Sequence, residues 1–305
     1  MDFLRFLEGL RTPLGDAFFS TVTHLGEETL FIVAGLFFFW CLDKLQGYYL
    51  LAVGLTGTVL NQFLKLWFRI PRPWVLDENF TIVESARAEA SGYSFPSGHT
   101  QSSVGIFGAV ARWNHQRWVR AVCVVICVLV PLSRMYLGVH TPKDVLVSVG
   151  VALVLIFGFY PVASRAAHQP GGLRLLLAAM LALSAGYLAF VTFYAFPADV
   201  DAANLASGTK NAWTMLGCIL GVWLTFECDQ RWLRFEVKAV WWAQALKLGL
   251  GLAILLGIKA GLKAPLHAVL DSYAADGIRY FLMVVFAGCI WPLTFRWFAK
   301  LGKKN

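Results

Sequence analysis

Apolar residues in this chain fall into long uncharged runs separated by short polar connections. Nine runs can be drawn, at roughly residues 29–42, 46–67, 100–111, 121–139, 142–164, 173–196, 211–227, 239–258 and 278–298. A helix that crosses a bilayer needs about 20 apolar residues. The pattern therefore predicts an all-α, polytopic membrane helix bundle of about nine spans. Runs 29–42 and 100–111 are short for this and need polar flanks buried inside the bundle. Lys247 interrupts the eighth run, which a lysine snorkelling toward an interface would tolerate. Upstream, Leu4, Phe6, Leu7, Leu10 and Leu14 alternate with charged residues, the pattern of an amphipathic helix lying on a membrane. There is no internal repeat and no low-complexity segment.

Composition narrows the class. Apolar types make up 58% of the 305 residues and charged types 14%, against about 45–50% and 25% in soluble domains. A disordered chain and a secreted disulfide scaffold are excluded, and an ordinary soluble enzyme is disfavoured. A net charge of +8 in a soluble domain would suggest nucleic acid. Here the cations lie between apolar runs, where topology and phosphate contacts account for them, and no nucleic-acid partner is expected. The six cysteines have no CxxC or zinc spacing and read as buried small hydrophobes.

Orientation follows from where the cations fall. With the polar stretch 68–98 on one face, the opposite face collects thirteen Lys and Arg, including Arg296, Lys300, Lys303 and Lys304, nearly all in short loops. The face of the polar stretch carries twelve. The positive-inside rule then places that stretch outside the cytoplasm. Its middle part, residues 80–94, could form a lid or a solvated connector.

Three segments converge on that outer face by loop order alone. They are Lys65-Leu-Trp-Phe-Arg-Ile-Pro-Arg72-Pro73, Pro96-Ser97-Gly98-His99, and Ser133-Arg134 followed by His140-Thr-Pro-Lys-Asp144. Lys65, Arg72 and Arg134 supply fixed cations, and a guanidinium grips two phosphoryl oxygens in a fork. Ser97 and Gly98 would open a helix whose free N–H groups face an anion. His99 and His140 can act as acid, base or nucleophile near neutral pH. One helical turn would bring Asp144 to the His140 ring and fix its tautomer.

Together these groups suit phosphoryl transfer without a metal or other cofactor. His140 would attack phosphorus, His99 would protonate the leaving oxygen, and Lys65, Arg72, Arg134, Ser97 and Gly98 would hold the phosphoryl oxygens. Each segment alone has a plainer reading. Thr141-Pro142-Lys143-Asp144 is a good helix start, Pro96-Ser97-Gly98 a common cap, and Lys65 and Arg72 ordinary interfacial anchors. None of these predicts one anion-binding face built from three distant segments. His24, His115, His168 and His267 lack such company and read as structural or surface residues.

The spacing Lys65-x6-Arg72-Pro73, Pro96-Ser97-Gly98-His99 and Ser133-Arg134-x5-His140-x3-Asp144 resembles the three-part signature of the type 2 phosphatidic acid phosphatase superfamily. That superfamily includes vanadium haloperoxidases and glucose-6-phosphatase. The resemblance covers roughly residues 45–165 and implies a helical core, a phosphohistidine intermediate and no metal requirement. It assigns His140 as nucleophile, His99 as acid, Asp144 as orienter, and Lys65, Arg72 and Arg134 as phosphate ligands. The expected organisation is an interfacial segment at 1–28, a phosphatase core at 29–170 and additional membrane helices at 171–305. The expected activity is hydrolysis of a lipid phosphate or diphosphate in the cell membrane, with polyprenyl diphosphate first among candidates. A soluble sugar phosphate, or a non-catalytic lipid-phosphate binder or transporter, is the alternative. The oligomeric state is not legible.

Overall fold

The computed structural model describes residues 1–302; Lys303 and Lys304, counted among the cations above, lie outside them. All regular elements of the described residues are helical. Short helices α1 (Asp2–Gly9), α2 (Pro13–Thr23) and α3 (Glu28–Phe37) precede the long α4 (Lys44–Phe68) and the one-turn α5 (Pro73–Leu76). Helices α6 (Gly98–Trp113), α7 (Arg117–Tyr136) and α8 (Pro142–Arg165) carry the remaining site segments. Then come α9 (Pro170–Phe193), α10 (Ala202–Cys228), α11 (Trp241–Gly261), α12 (Lys263–Val269), α13 (Ser272–Val285) and α14 (Phe295–Phe298).

Each of the nine predicted runs falls largely in helix, and most of them also meet the length and composition of a membrane span. Among the described residues, six segments are long and apolar enough to cross a membrane, and a seventh is the pair Pro13–Gly26 and Glu28–Leu42 bent by 51°. The other two runs fall short of that length or composition. Helix α6 has only 16 residues and carries buried Thr100, Gln101 and Ser103. Helix α10 is long enough, but its apolar stretch is diluted by Asn211, Thr214, Thr225 and Glu227.

The chain divides into two compact units. One comprises residues 1–32, 56–161 and 195–208. Within it α6 and α7 pack as a hairpin across a three-residue connection. Ser97 caps α6 with its hydroxyl, which accepts from the Thr100 N–H at 3.4 Å. Ser148 of α8 donates to the Ser97 carbonyl at 2.9 Å. The N-terminal helices fasten onto the end of α7. Arg11 Nε donates to the Tyr136 carbonyl at 3.0 Å, and the Thr12 N–H donates to the Tyr136 hydroxyl at 3.1 Å. On α1, Leu4 packs with Phe80 and Ile82, while Phe3 and Phe6 stay exposed. Arg69, at φ 49°, ends α4 in a left-handed turn just before Arg72.

The second unit comprises residues 33–55, 162–194 and those from 209 onward. Its interior holds polar groups that are paired. Lys44 Nζ lies 2.7 Å from the buried Asp229 carboxylate and donates to the Phe235 carbonyl at 3.2 Å. Lys247, in the second turn of α11, reaches back to the loop ahead of that helix. It is 1% exposed, donates to the Val237 carbonyl at 2.9 Å and lies 4.3 Å from the centre of the Phe295 ring. Carbonyl and ring together replace the water an ammonium needs. Helices α10 and α13 touch at glycines: a Cβ on Gly217 would stand 2.0 Å from the Gly277 carbonyl oxygen. Such small-residue crossings are how membrane helices approach closely. All six cysteines are free, and none is exposed.

Candidate active site

The site is assembled within the first unit from the end of α4, the loop before α6, the end of α7 and the start of α8. Helix α7 ends at Tyr136, and Gly138, at φ 81°, turns the chain so that His140 precedes α8 directly. Pro142 starts α8 with no N–H to waste, and Asp144 falls in its first turn. The His140 ring is 2% exposed and Asp144 1%.

Arg72 binds the His140 ring directly, with Nη1 2.9 Å from Nε2. A guanidinium has only donors, so Nε2 must be the acceptor and Nδ1 must carry the proton. That proton faces Asp144 Oδ2 and the Ser94 hydroxyl, each at 3.5 Å. The carboxylate is itself held by Ser94 Oγ at 2.6 Å and the Thr141 N–H at 2.8 Å. Burial pushes the His140 imidazole well below the usual histidine range, and Arg72, Arg134, Lys65 and His99 push the same way. The ring is therefore neutral, with its lone pair at Nε2.

The rest of the Arg72 fork is fixed by loop carbonyls. Nε donates to Gly92 O at 2.9 Å, Nη2 to Ser91 O at 2.8 Å and Nη1 to Val139 O at 2.9 Å. Lys65 Nζ donates to the Tyr93 carbonyl. Arg134 is fully buried. Its Nη1 donates to Thr23 Oγ1 at 2.7 Å, and its Nε and Nη2 have no hydrogen-bond partner. Buried donors of this kind are what an arriving oxyanion satisfies. At the N-terminus of α6, a Cβ on Gly98 would meet nothing nearer than Asn61 Oδ1 at 3.9 Å, so room for an oxyanion is left there. His99 Nε2 lies 3.4 Å from Glu89 Oε2, and the same oxygen is 3.9 Å from Arg134 Nη1.

All eight sequence-derived residues thus belong to one unit, and direct contacts join several of them. Arg72 reaches His140, His140 reaches Asp144, and the Ser97 N–H donates to the Asp144 carbonyl at 3.2 Å. Residues missing from the sequence reading are Ser94, Thr23 and the Glu89 carboxylate as a neighbour of His99. Ser94 stands three positions before Ser97, yet a lone serine in a polar loop carries no signal of its own. His24, read as structural or surface, lies 3.4 Å from the other Glu89 oxygen. The stretch 80–94 is a packed loop rather than a solvated connector. Phe80, Ile82, Ala86 and Ala90 are buried, and its carbonyls hold Arg72 and Lys65.

A helical membrane protein with a buried and a half-buried histidine beside a cluster of cations is built to handle a phosphorylated compound. Residues 46–167 match the PAP2 superfamily, and residues 213–304 match the PAP2 superfamily phosphatase transmembrane extension. Phosphatidylglycerophosphatase B of Bacillus subtilis is 30% identical over 161 residues, covering 48% of this chain and 75% of that protein. Undecaprenyl-diphosphatase BcrC of the same organism is 35% identical over 107 residues, 35% of this chain and 52% of its own. Sphingosine-1-phosphate phosphatase 1 of Rattus norvegicus is 30% identical over 145 residues, 46% of this chain and 33% of its own. No solved structure matches. The chain belongs to the PAP2 superfamily and is a phosphate ester hydrolase of the membrane.

Proposed function

We propose that this protein hydrolyses a lipid phosphate or diphosphate through a phosphohistidine intermediate. The observation that carries this reading is the His140 ring, neutral and protonated at Nδ1, with its Nε2 lone pair on the guanidinium of Arg72. A phosphoryl group that binds the Arg72 fork is brought to that lone pair. Burial and Arg134 push the resting His99 imidazole down to about 3, so it takes up a proton from solvent as the phosphoryl anion binds. Nε2 then attacks phosphorus as the ester P–O bond breaks, and the departing oxygen takes that proton from His99. Water then attacks the phosphohistidine, His99 accepts its proton, and the P–N electron pair returns to Nε2. Lys65, Arg72, Arg134 and the backbone N–H groups at Ser97 and Gly98 hold the equatorial oxygens. Charge stabilisation of this kind is usually the largest catalytic contribution. Asp144 positions the ring and supports its positive charge. Three cations and a helix N-terminus supply the charge a metal would otherwise bring, so the reaction needs none.

The substrate reading rests on the surroundings. The site belongs to a chain of membrane helices, and the relatives carry the names of lipid phosphatases and a lipid diphosphatase. Polyprenyl diphosphate is the first substrate to assay, followed by phosphatidylglycerol phosphate, sphingoid-base phosphate and phosphatidic acid. The cation distribution supports a site on the extracytoplasmic face of the cell membrane, reached from the outer leaflet. The exposed Phe3 and Phe6 of α1 suit contact with the lipid surface.

The test is phosphate release by purified protein from these lipids and from sugar phosphates, with excess chelator. Chelator-resistant turnover of lipid substrates is expected. Turnover of sugar phosphates alone, or activity restored only by a divalent ion, would overturn the proposal.

A further inference from the structure

Helix α4 carries an asparagine at position 61, one turn before Lys65 and on the same face. The side chain is 4% exposed, yet its Nδ2 has no hydrogen-bond partner. A polar group at such a depth in a membrane helix is costly and usually serves a site. The carboxamide oxygen lies 3.9 Å from the point where a Cβ on Gly98 would stand. This is the open space at the N-terminus of α6. A half-turn about the last torsion of the side chain exchanges its oxygen and nitrogen at that position.

We propose that Asn61 is a further phosphate ligand, whose Nδ2 donates to a phosphoryl oxygen held at the Gly98 N–H. The inference rests on the reading above, in which the phosphoryl group sits at that helix terminus. It extends the anion cradle one turn into α4. The cradle then has a neutral donor in addition to its cations. A neutral amide adds no charge repulsion against Arg72 and Arg134, and it cannot be satisfied by the loop carbonyls that already hold Lys65 and Arg72.

Vanadate, which adopts the five-coordinate geometry of phosphorus in transfer, is the probe. Asn61→Ala should lower kcat/KM on a lipid phosphate by about 10²-fold and weaken vanadate inhibition by a comparable factor. Asn61→Asp keeps the shape but places a carboxylate where the donor was, and should be worse on both measures. If Asn61→Ala does not fold, Asn61→Asp decides the matter on the same vanadate readout. Vanadate inhibition within twofold of wild type in the folded variant overturns the proposal, whatever the catalytic loss, because a merely structural asparagine would behave that way. Arg72→Lys is the reference. If it weakens vanadate and the Asn61 variants do not, only this inference falls. If neither moves vanadate, the site reading itself falls.

Discussion

Replacing Arg72 by lysine keeps the charge and removes the fork, which makes it the sharpest test of the proposed site. The guanidinium makes four contacts between 2.8 and 2.9 Å, to Ser91 O, Gly92 O, Val139 O and His140 Nε2. An ammonium has three donors at one point and cannot span acceptors on two segments. In the reaction, an arginine fork grips two phosphoryl oxygens where a lysine grips one. Losing one charge-assisted hydrogen bond costs about 1.5–3 kcal/mol, which corresponds to about 10–150-fold in kcat/KM. The loop carbonyls left unpaired add to that by loosening residues 91–93. Arg72→Lys should therefore fall near the upper end of the range, with its unfolding temperature measured alongside. The assay is phosphate release from a short-chain lipid phosphate in detergent. A folded Arg72→Lys enzyme within threefold of wild type would show that Arg72 holds the loop and nothing else.

Other outcomes follow from the same geometry. Incubation with a substrate labelled in the phosphoryl group should leave acid-labile, base-stable label on the protein, absent from His140→Ala; label that survives in that variant would place the nucleophile elsewhere. Because burial and its cationic neighbours hold the His140 imidazole neutral, folding excludes a proton that the unfolded ring takes up below about pH 6.5. Stability is therefore full above that pH and drains away as the pH falls below it. The melting temperature should drop between pH 7 and 5, and the drop should be smaller in His140→Gln. Gly26 abuts the residue proposed as the acid, since a Cβ there would stand 2.8 Å from the His99 carbonyl oxygen and 3.0 Å from Val130 Cγ1. Gly26→Ala should lower kcat more than it raises KM and cost about 1–3 kcal/mol of stability, read by steady-state kinetics and thermal unfolding.

The site was more legible in the sequence than the fold around it. Histidines, arginines and a Pro-Ser-Gly turn are chemically distinctive, and their spacing survives in one dimension. Lys65, Arg72 and Arg134 could be singled out because three cations near helix ends have few other reasons to share a face. The resting partners of Lys65 and most of those of Arg72 could not, since they are the carbonyls of Ser91, Gly92, Tyr93 and Val139, which every residue possesses. The helices were legible from hydropathy, but what covers each apolar face was not. Residues 100–111 looked like a short span because Val104, Ile106 and Val110 are apolar; in the fold these three pack inside the protein beside buried polar residues. Hydropathy measures only how apolar a segment is. It does not say whether lipid or protein covers it, and Lys247, buried under the Phe295 ring, shows the same ambiguity from the polar side.

The braces that the first two dozen residues apply to the end of α7 bear on how the protein is made. Arg11, Thr12 and Thr23 each find a partner at Tyr136 or Arg134. A ribosome delivers the N-terminal helices long before those anchors leave the exit tunnel. The opening segment can hold earlier to Asp77 and Thr81 through Arg5, Glu8 and Arg11, but its bracing against α7 must wait until more than a hundred residues have been inserted. A bulky tag fused ahead of Met1 should therefore slow maturation of the enzyme even where it leaves membrane insertion intact.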